Sequence, residues 1–159
     1  MGEWSLSRLS DDDLEYMRGF APTLEVDVCG ALPALFFHGS PRSFDDLIFP
    51  ETPQNEFLEM LEGRPGVLLA GGHTHVQQLR RVGQGVFVNP GSVGVAYDRN
   101  QTRDEPLCDP WAEYAIISDD DDSLAVEFRR VPFGVDKLID AAREAGYPFS
   151  NDLAARYAR

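Results

Sequence analysis

Two short apolar runs, each followed closely by histidine, constrain the fold more than any other feature of the sequence. Residues 32–37 (Leu-Pro-Ala-Leu-Phe-Phe) precede His38, and residues 67–70 (Val-Leu-Leu-Ala) precede the Gly-Gly-His-Thr-His of residues 71–75. Runs of this length and composition predict buried strands, and the two glycines allow a sharp turn. The chain has three histidines, and all are therefore expected at strand ends, where α/β proteins place their chemistry.

Histidine at a strand end favours metal binding without requiring it. Neutral imidazole is a common ligand for zinc, manganese and iron, although a single histidine such as His38 more often has a structural role. His73 and His75 are two residues apart, so in an extended loop their side chains would point to opposite sides. Such a pair would serve two neighbouring ions better than it would chelate one.

Three sequence blocks follow one another in a specific order: residues 38–41 (His-Gly-Ser-Pro), 72–75 (Gly-His-Thr-His) and 89–92 (Asn-Pro-Gly-Ser). With residues 111–117 and 127–132, they resemble the calcineurin-like metallophosphoesterase superfamily, in particular its small bacterial phosphoesterases. The resemblance covers nearly the whole chain. It implies an α/β fold that is the second half of a two-sheet, helix-flanked sandwich, with a mixed sheet and His-bearing loops at strand ends.

The resemblance also implies a dinuclear site for divalent metal ions, with Mn, Fe, Zn and Mg as the candidates. His38 and His73 would ligate one ion, and His75 would ligate its neighbour. The residues expected to support these loops are Gly39, Gly72, Asn89 and Gly91. Arg42, in the loop after His38, is a candidate substrate-binding residue because guanidinium groups bind phosphate well. A loop arginine is nevertheless more often only solvated.

The first motifs of the family pattern are absent. Enzymes of this superfamily begin with Asp-x-His, Gly-Asp and Gly-Asn-His blocks, and none of these occurs here. Three imidazoles cannot complete a hard dinuclear site that also needs carboxylates. We therefore expect a single domain over residues 1–159 that resembles the C-terminal part of a metallophosphoesterase domain. Its catalytic residues stay unassigned, and the missing ligands would come from a complementary N-terminal segment, an oligomer or another polypeptide.

The leading functional expectation is a hydrolase, namely a metal-dependent phosphatase or phosphodiesterase that acts on a small phosphate ester. The alternative is a degenerate, catalytically inactive binding or scaffold module that retains the second half of the fold. Manganese, iron, zinc and magnesium all suit a mixed imidazole and oxygen site. The sequence does not distinguish between phosphate monoesters and diesters as substrates.

Composition sets the outer limits of these expectations. The chain has 159 residues, which suits one globular domain. Its 14 basic and 27 acidic residues give a net charge of −13, which argues against general affinity for nucleic-acid backbones or anionic membranes. A start without signal-peptide character predicts a cytoplasmic location. Cys29 and Cys108 lie far apart in the sequence and are expected to be free thiols.

Apolar periodicity and turn residues predict the remaining elements. Helices are expected over residues 9–19, 55–63, 134–146 and 152–157, and further strands over residues 23–28, 77–82, 85–88, 112–117 and 124–131. The strand over residues 23–28 should be half-buried, and Leu58 should share a core-facing helix side with Phe57 and Leu61. The acidic runs at residues 11–13 and 119–122 are explained by helix capping and by a hairpin tip, respectively.

Overall fold

The computed structural model describes residues 2–28, 32–64, 68–101, 107–120 and 123–158. Several sequence predictions concern residues outside these ranges. They are the free thiol at Cys29, the start of the second apolar run at Val67, and Asp121 and Asp122 of the predicted hairpin tip. Residues 102–106 also lie outside, within a loop that the scarcity of apolar residues predicts over residues 97–110.

Every predicted helix and strand forms, with small shifts at the ends, and one short N-terminal helix is additional. In chain order the elements are α1 (Gly2–Leu6), α2 (Asp11–Arg18), β1 (Leu24–Val28), β2 (Leu32–Phe36), α3 (Gln54–Met60), β3 (Leu68–Ala70), β4 (Gln78–Val82), β5 (Gly85–Asn89), β6 (Trp111–Asp120), β7 (Ser123–Pro132), α4 (Val135–Glu144) and α5 (Ser150–Arg156). No helix within the described ranges is long and apolar enough to cross a membrane.

The start of α2 shows how local sequence determines an element. The Ser10 hydroxyl accepts a hydrogen bond from the Asp13 backbone, and the Asp13 carboxylate accepts one from the Ser10 backbone. This reciprocal capping satisfies two groups that a helix N-terminus leaves without partners. The hydrogen bonds from Ser10 also lower the pKa of Asp13. The capping role predicted for the first acidic run is confirmed.

A five-stranded mixed sheet, in the order β1-β2-β3-β5-β4, organises the molecule. The central strands β2, β3 and β5 are parallel, and the edge strands β1 and β4 are antiparallel to their neighbours. Parallel strands end at the same side of a sheet. His38 after β2, residues 71–75 after β3 and Asn89 at the end of β5 therefore meet at one edge. The predicted α/β fold class with His-bearing loops at strand ends is confirmed.

The outer face of this sheet is closely packed. Leu35, Leu69 and Phe87 from the central strands are buried against Phe57 and Leu61 of the α3 region. The prediction that Leu58 belongs to this core is wrong, since 38% of Leu58 is exposed. Successive helix positions are rotated by about 100°, and α3 turns the positions of Phe57 and Leu61 toward the sheet instead.

The inner face is covered by the β6–β7 hairpin, which forms a second sheet of two strands. Ala115 and Ile117 of β6, with Val126 and Phe128 of β7, pack against a second cluster of buried residues. That cluster comprises Ala34, Leu68 and Val88. The molecule is therefore a two-layer sandwich in which one layer has five strands and the other has two.

One row of aligned side chains shows that this cover is partial. We call it the inner row: Leu24, Phe36, Ala70, Val88 and Leu79, which are paired in register across the five strands. Val88 is 1% exposed, whereas the ends of the row are open, with Leu24 57%, Phe36 37% and Leu79 52% exposed. The prediction that β1 is half-buried is wrong, because four of its five residues are exposed.

Candidate functional site

The structure brings His38 and His73 together at the sheet edge. The Gly72 N–H donates to the His38 carbonyl oxygen at 2.8 Å, which joins the loop after β2 to the loop after β3. The two imidazole rings are edge to face, with centroids 4.6 Å apart. Two imidazoles this close can contact the same bound ion or molecule. They follow two neighbouring parallel strands.

The loop that contains His73 and His75 is not extended. Both residues have positive φ angles, 66° and 57° respectively, and the Thr74 N–H donates to the Gly72 carbonyl at 2.7 Å. The premise that their side chains alternate as in an extended strand is therefore wrong. A compact turn, rather than strand alternation, determines where the two imidazoles point.

Asn89 braces this turn from the end of β5. Its side chain is fully buried, and its amide nitrogen donates to the Gly72 carbonyl at 2.8 Å and to the Thr74 hydroxyl at 3.0 Å. Its amide oxygen accepts from the Gly91 N–H at 3.0 Å. Both amide hydrogens are thus used within the protein, and the side chain connects the histidine loop to the Asn-Pro-Gly-Ser turn.

The segment of residues 92–97 holds His75 from the other side. The His75 Nδ1 lies 3.2 Å from the Val95 carbonyl oxygen, and the Tyr97 hydroxyl donates to the Thr74 carbonyl at 3.3 Å. A proton on Nδ1 donated to Val95 leaves the Nε2 lone pair available to a ligand. Sequence reasoning did not identify Val95 or Tyr97, because backbone partners 20 or more residues away carry no sequence signal of their own.

At three glycines near the site, an added Cβ would come too close to neighbouring atoms. A Cβ at Gly39 would lie 2.6–2.8 Å from the carbonyl oxygens of three residues of its own loop, and one at Gly71 would lie 2.7 Å from two phenylalanine rings. Gly91 has a φ of 91° and packs against Glu113. Gly72 has room for a side chain, since its nearest neighbour would be 3.8 Å away. Gly72 acts instead through its backbone, which binds His38 and Asn89.

Arg42 is exposed and is held within the His38 loop. Its Nε donates to the Asp46 carboxylate at 2.7 Å, and the same oxygen accepts from the Ser40 hydroxyl at 2.7 Å. The hydrogen bond from Arg42 lowers the pKa of Asp46. A phosphate bound by Arg42 would have to share this guanidinium with Asp46.

The histidines do not form a complete metal site with the other described residues. Within the described ranges, no group of three or more His, Cys, Asp or Glu side chains could hold an ion. Desolvation, followed by the neighbouring His73 and His75, lowers the pKa of His38 and favours the neutral imidazole that a metal ion requires. Neutral imidazoles at His38 and His73 would be able to bind a divalent ion.

A cleft of about 870 Å³ opens beside His75. Its lining carries the carboxylates of Glu51, Asp98, Asp109 and Glu113 and the guanidinium groups of Arg99 and Arg130. Both guanidinium groups are in ion pairs, Arg99 with Glu51 at 2.9 Å and Arg130 with the buried Glu113 at 3.0 Å. Four acidic groups against two basic ones make the cleft acidic, which opposes the entry of an anion.

The sequence profile of the calcineurin-like phosphoesterase superfamily domain matches residues 9–104, which include every candidate site residue. The fold is similar to that of a hypothetical protein from Pyrococcus horikoshii OT3, with a TM-score of 0.67, 20% identity and 88% of this chain covered. It is also similar to a metallophosphoesterase from Sphaerobacter thermophilus, with a TM-score of 0.63, 22% identity and 97% covered. This chain spans only 52% and 65% of those two chains. No curated protein sequence matches it.

Proposed function

Because the chain belongs to the calcineurin-like phosphoesterase superfamily, we propose that it provides the histidine-bearing part of a divalent-metal-dependent phosphoesterase. His38 and His73 would hold one ion, and His75 would hold its neighbour. The observation that carries this proposal is the edge-to-face contact of His38 and His73, 4.6 Å apart at the end of two parallel strands. When bound, divalent ions activate water and stabilise charge on a phosphate ester.

We further propose that residues 1–159 correspond to the C-terminal part of the complete domain. The chain spans 52% and 65% of two structures with the same fold, and the described residues supply no carboxylate to the histidine pair. The inner row is open at Leu24 and Phe36, and Phe36 lies two residues before His38. A complementary N-terminal segment or a second polypeptide that covers this apolar corner would arrive beside His38 with its ligands.

Charge supports metal dependence. The net charge is −13, and the cleft beside His75 is acidic. A small phosphate ester would be repelled from such a surface unless cations intervened, because like charges interact unfavourably over several ångströms. The same charge disfavours nucleic-acid backbones and membranes as partners. Manganese is our first choice of ion and the cytoplasm our expected location.

The test is to reconstitute the proposed complete domain by adding a segment that could supply the missing N-terminal part. The purified chain would be mixed or co-expressed with the part of the Sphaerobacter metallophosphoesterase that this chain does not match. We expect bound manganese by elemental analysis and hydrolysis of a generic aryl phosphodiester or monoester. His73→Ala should abolish both, whereas Asn55→Ala, an exposed change on α3, should abolish neither. A folded complex without metal and without turnover would overturn the proposal.

A second candidate function is a binding or scaffold module without catalysis. The observation that favours it is that no three-ligand cluster exists within the described ranges. The two functions predict different effects of His73→Ala on association with a complementary segment. In a scaffold, His73→Ala would leave association with a complementary segment unchanged. In an enzyme, the same substitution would weaken metal-dependent association.

A further inference from the structure

The C-terminal helix contacts the segment that holds His75. The hydroxyl of Tyr157, directly after α5, donates to the Gly94 carbonyl oxygen. Two backbone hydrogen bonds extend the same contact, from Cys108 to Arg156 at 2.6 Å and from Asp109 to Ala96 at 2.7 Å. The helix is therefore joined to the loop that precedes β6.

One peptide group within this segment is held at both ends. The Gly94 carbonyl and the Val95 N–H belong to the same planar unit. The carbonyl accepts from Tyr157, and the N–H donates to the Ser92 hydroxyl at 3.0 Å. With this plane fixed, the next carbonyl, that of Val95, is directed at His75 Nδ1 at 3.2 Å.

We propose that Tyr157 is a positioning residue that selects the tautomer of His75 with its proton on Nδ1. In that tautomer the imidazole donates to Val95 and presents the Nε2 lone pair to a ligand. The role rests on the proposed function, since the choice of tautomer matters when His75 coordinates an ion. Tyr157 lies outside the matched residues 9–104, so this device belongs to the C-terminal region of this chain.

The surroundings of Tyr157 hold its hydroxyl in one direction and keep it protonated, so that it can donate a hydrogen bond. Its ring packs edge to face against Phe133, with centroids 5.9 Å apart, which fixes the direction of the hydroxyl. Burial raises the pKa of Tyr157 to about 12, so the phenol keeps its proton at every pH at which the protein would work. The same packing means that removal of the hydroxyl alone leaves the ring in place.

Nitrogen-15 NMR of the metal-free chain tests the proposal. Long-range correlation spectra at about pH 8, where imidazoles are neutral, report which ring nitrogen carries the proton. A His75→Gln spectrum assigns the signals. We expect His75 to be protonated on Nδ1 in the unsubstituted chain. In Tyr157→Phe the ratio of Nε2–H to Nδ1–H should rise about fivefold, the factor expected for one lost hydrogen bond of ordinary strength.

Two further variants make the result decisive. Ser92→Ala removes the acceptor at the other end of the same peptide group and should shift the ratio in the same direction, even if Tyr157→Phe fails to fold. Tyr147→Phe removes a phenol hydroxyl from a ring that packs on Trp4 and Phe149, and it should leave the ratio unchanged.

Either of two results would overturn the proposal. One is a His75 protonated on Nε2 in the unsubstituted chain. The other is an unchanged ratio in the folded Tyr157→Phe and Ser92→Ala chains, even with a lowered melting temperature, because that combination describes a purely structural tyrosine. No metal or substrate enters the experiment, so its outcome is independent of whether the complete protein hydrolyses phosphate esters.

Discussion

The loop that carries His38 and the loop that carries His73 and His75 meet at one sheet edge but are stabilised in different ways. Within the first, Ser40 bonds to Ser43 and Asp46, three and six residues away. The second depends on side-chain and backbone groups that lie 15 to 23 residues further along the chain. The side-chain hydrogen bonds of the first loop are therefore local. The second loop is held by β5 and by the segment that follows it.

Both loops lie next to the buried Phe87 ring. Its removal should lower the free energy of unfolding more than any other substitution considered below. The Phe87 ring is fully buried, stacks on Phe37 at 6.0 Å and lies against Gly71. Phe87→Ala would leave a cavity beneath both loops and should lower the free energy of unfolding by about 4 kcal/mol, measured by urea titration. Phe36→Ala, at the open end of the inner row, is the matched control and should cost much less. Equal losses would contradict the difference between the two faces.

Asn89→Ala should disturb only the loop that depends on distant partners. The substitution removes three hydrogen bonds and leaves buried partners unsatisfied, so we expect a loss of about 3 kcal/mol in the free energy of unfolding. NMR signals of His73 and His75 should broaden or shift more than the signals of the His38 loop beyond residue 39. Asn100→Ala, at an exposed turn, is the control. If the His38 loop changed as much, the two loops would not be independent.

Gly39→Ala tests the self-contained loop. A Cβ there would lie 2.6–2.8 Å from three backbone oxygens, which cannot move as a flexible side chain would. We expect a loss of about 2 kcal/mol in the free energy of unfolding, since overpacking of this kind costs amounts of that order. Gly72→Ala, which has open space, should cost at most about 0.5 kcal/mol. Both losses would be measured by thermal or urea unfolding. A larger loss for Gly72→Ala than for Gly39→Ala would show that the loop backbone can move to accommodate the added Cβ.

The smallest effect is expected from Asp46→Asn, and it should depend on pH. The folded protein holds the pKa of Asp46 below its ordinary value, so folding favours the charged form. The stabilisation is complete above the ordinary pKa of about 3.9 and disappears as the pH falls through the lowered one. The stability difference between the original chain and Asp46→Asn should therefore vanish in acid, as measured by urea unfolding at several pH values.

Features that depend on nearby residues could be predicted from the sequence, whereas features that depend on distant residues could not. The apolar runs, the turn residues and the Ser10 cap predict the elements correctly, because each of those signals acts over a few residues. The gathering of His38 and His73 follows from the parallel strands that precede them. The exposure of β1 differs from the half-buried strand that alternation predicts, since alternation indicates an apolar face and says nothing about what covers it. Val95 and Tyr157 act through tertiary contacts that no local pattern encodes.

The backbone at His73 and His75 has an energetic consequence. Both residues occupy the left-handed region, with φ angles of 66° and 57°. A residue with a Cβ pays roughly 1 kcal/mol more than glycine for that conformation. Glycine at either position would relax the turn but remove the imidazole, so both imidazoles are held here at a cost in stability.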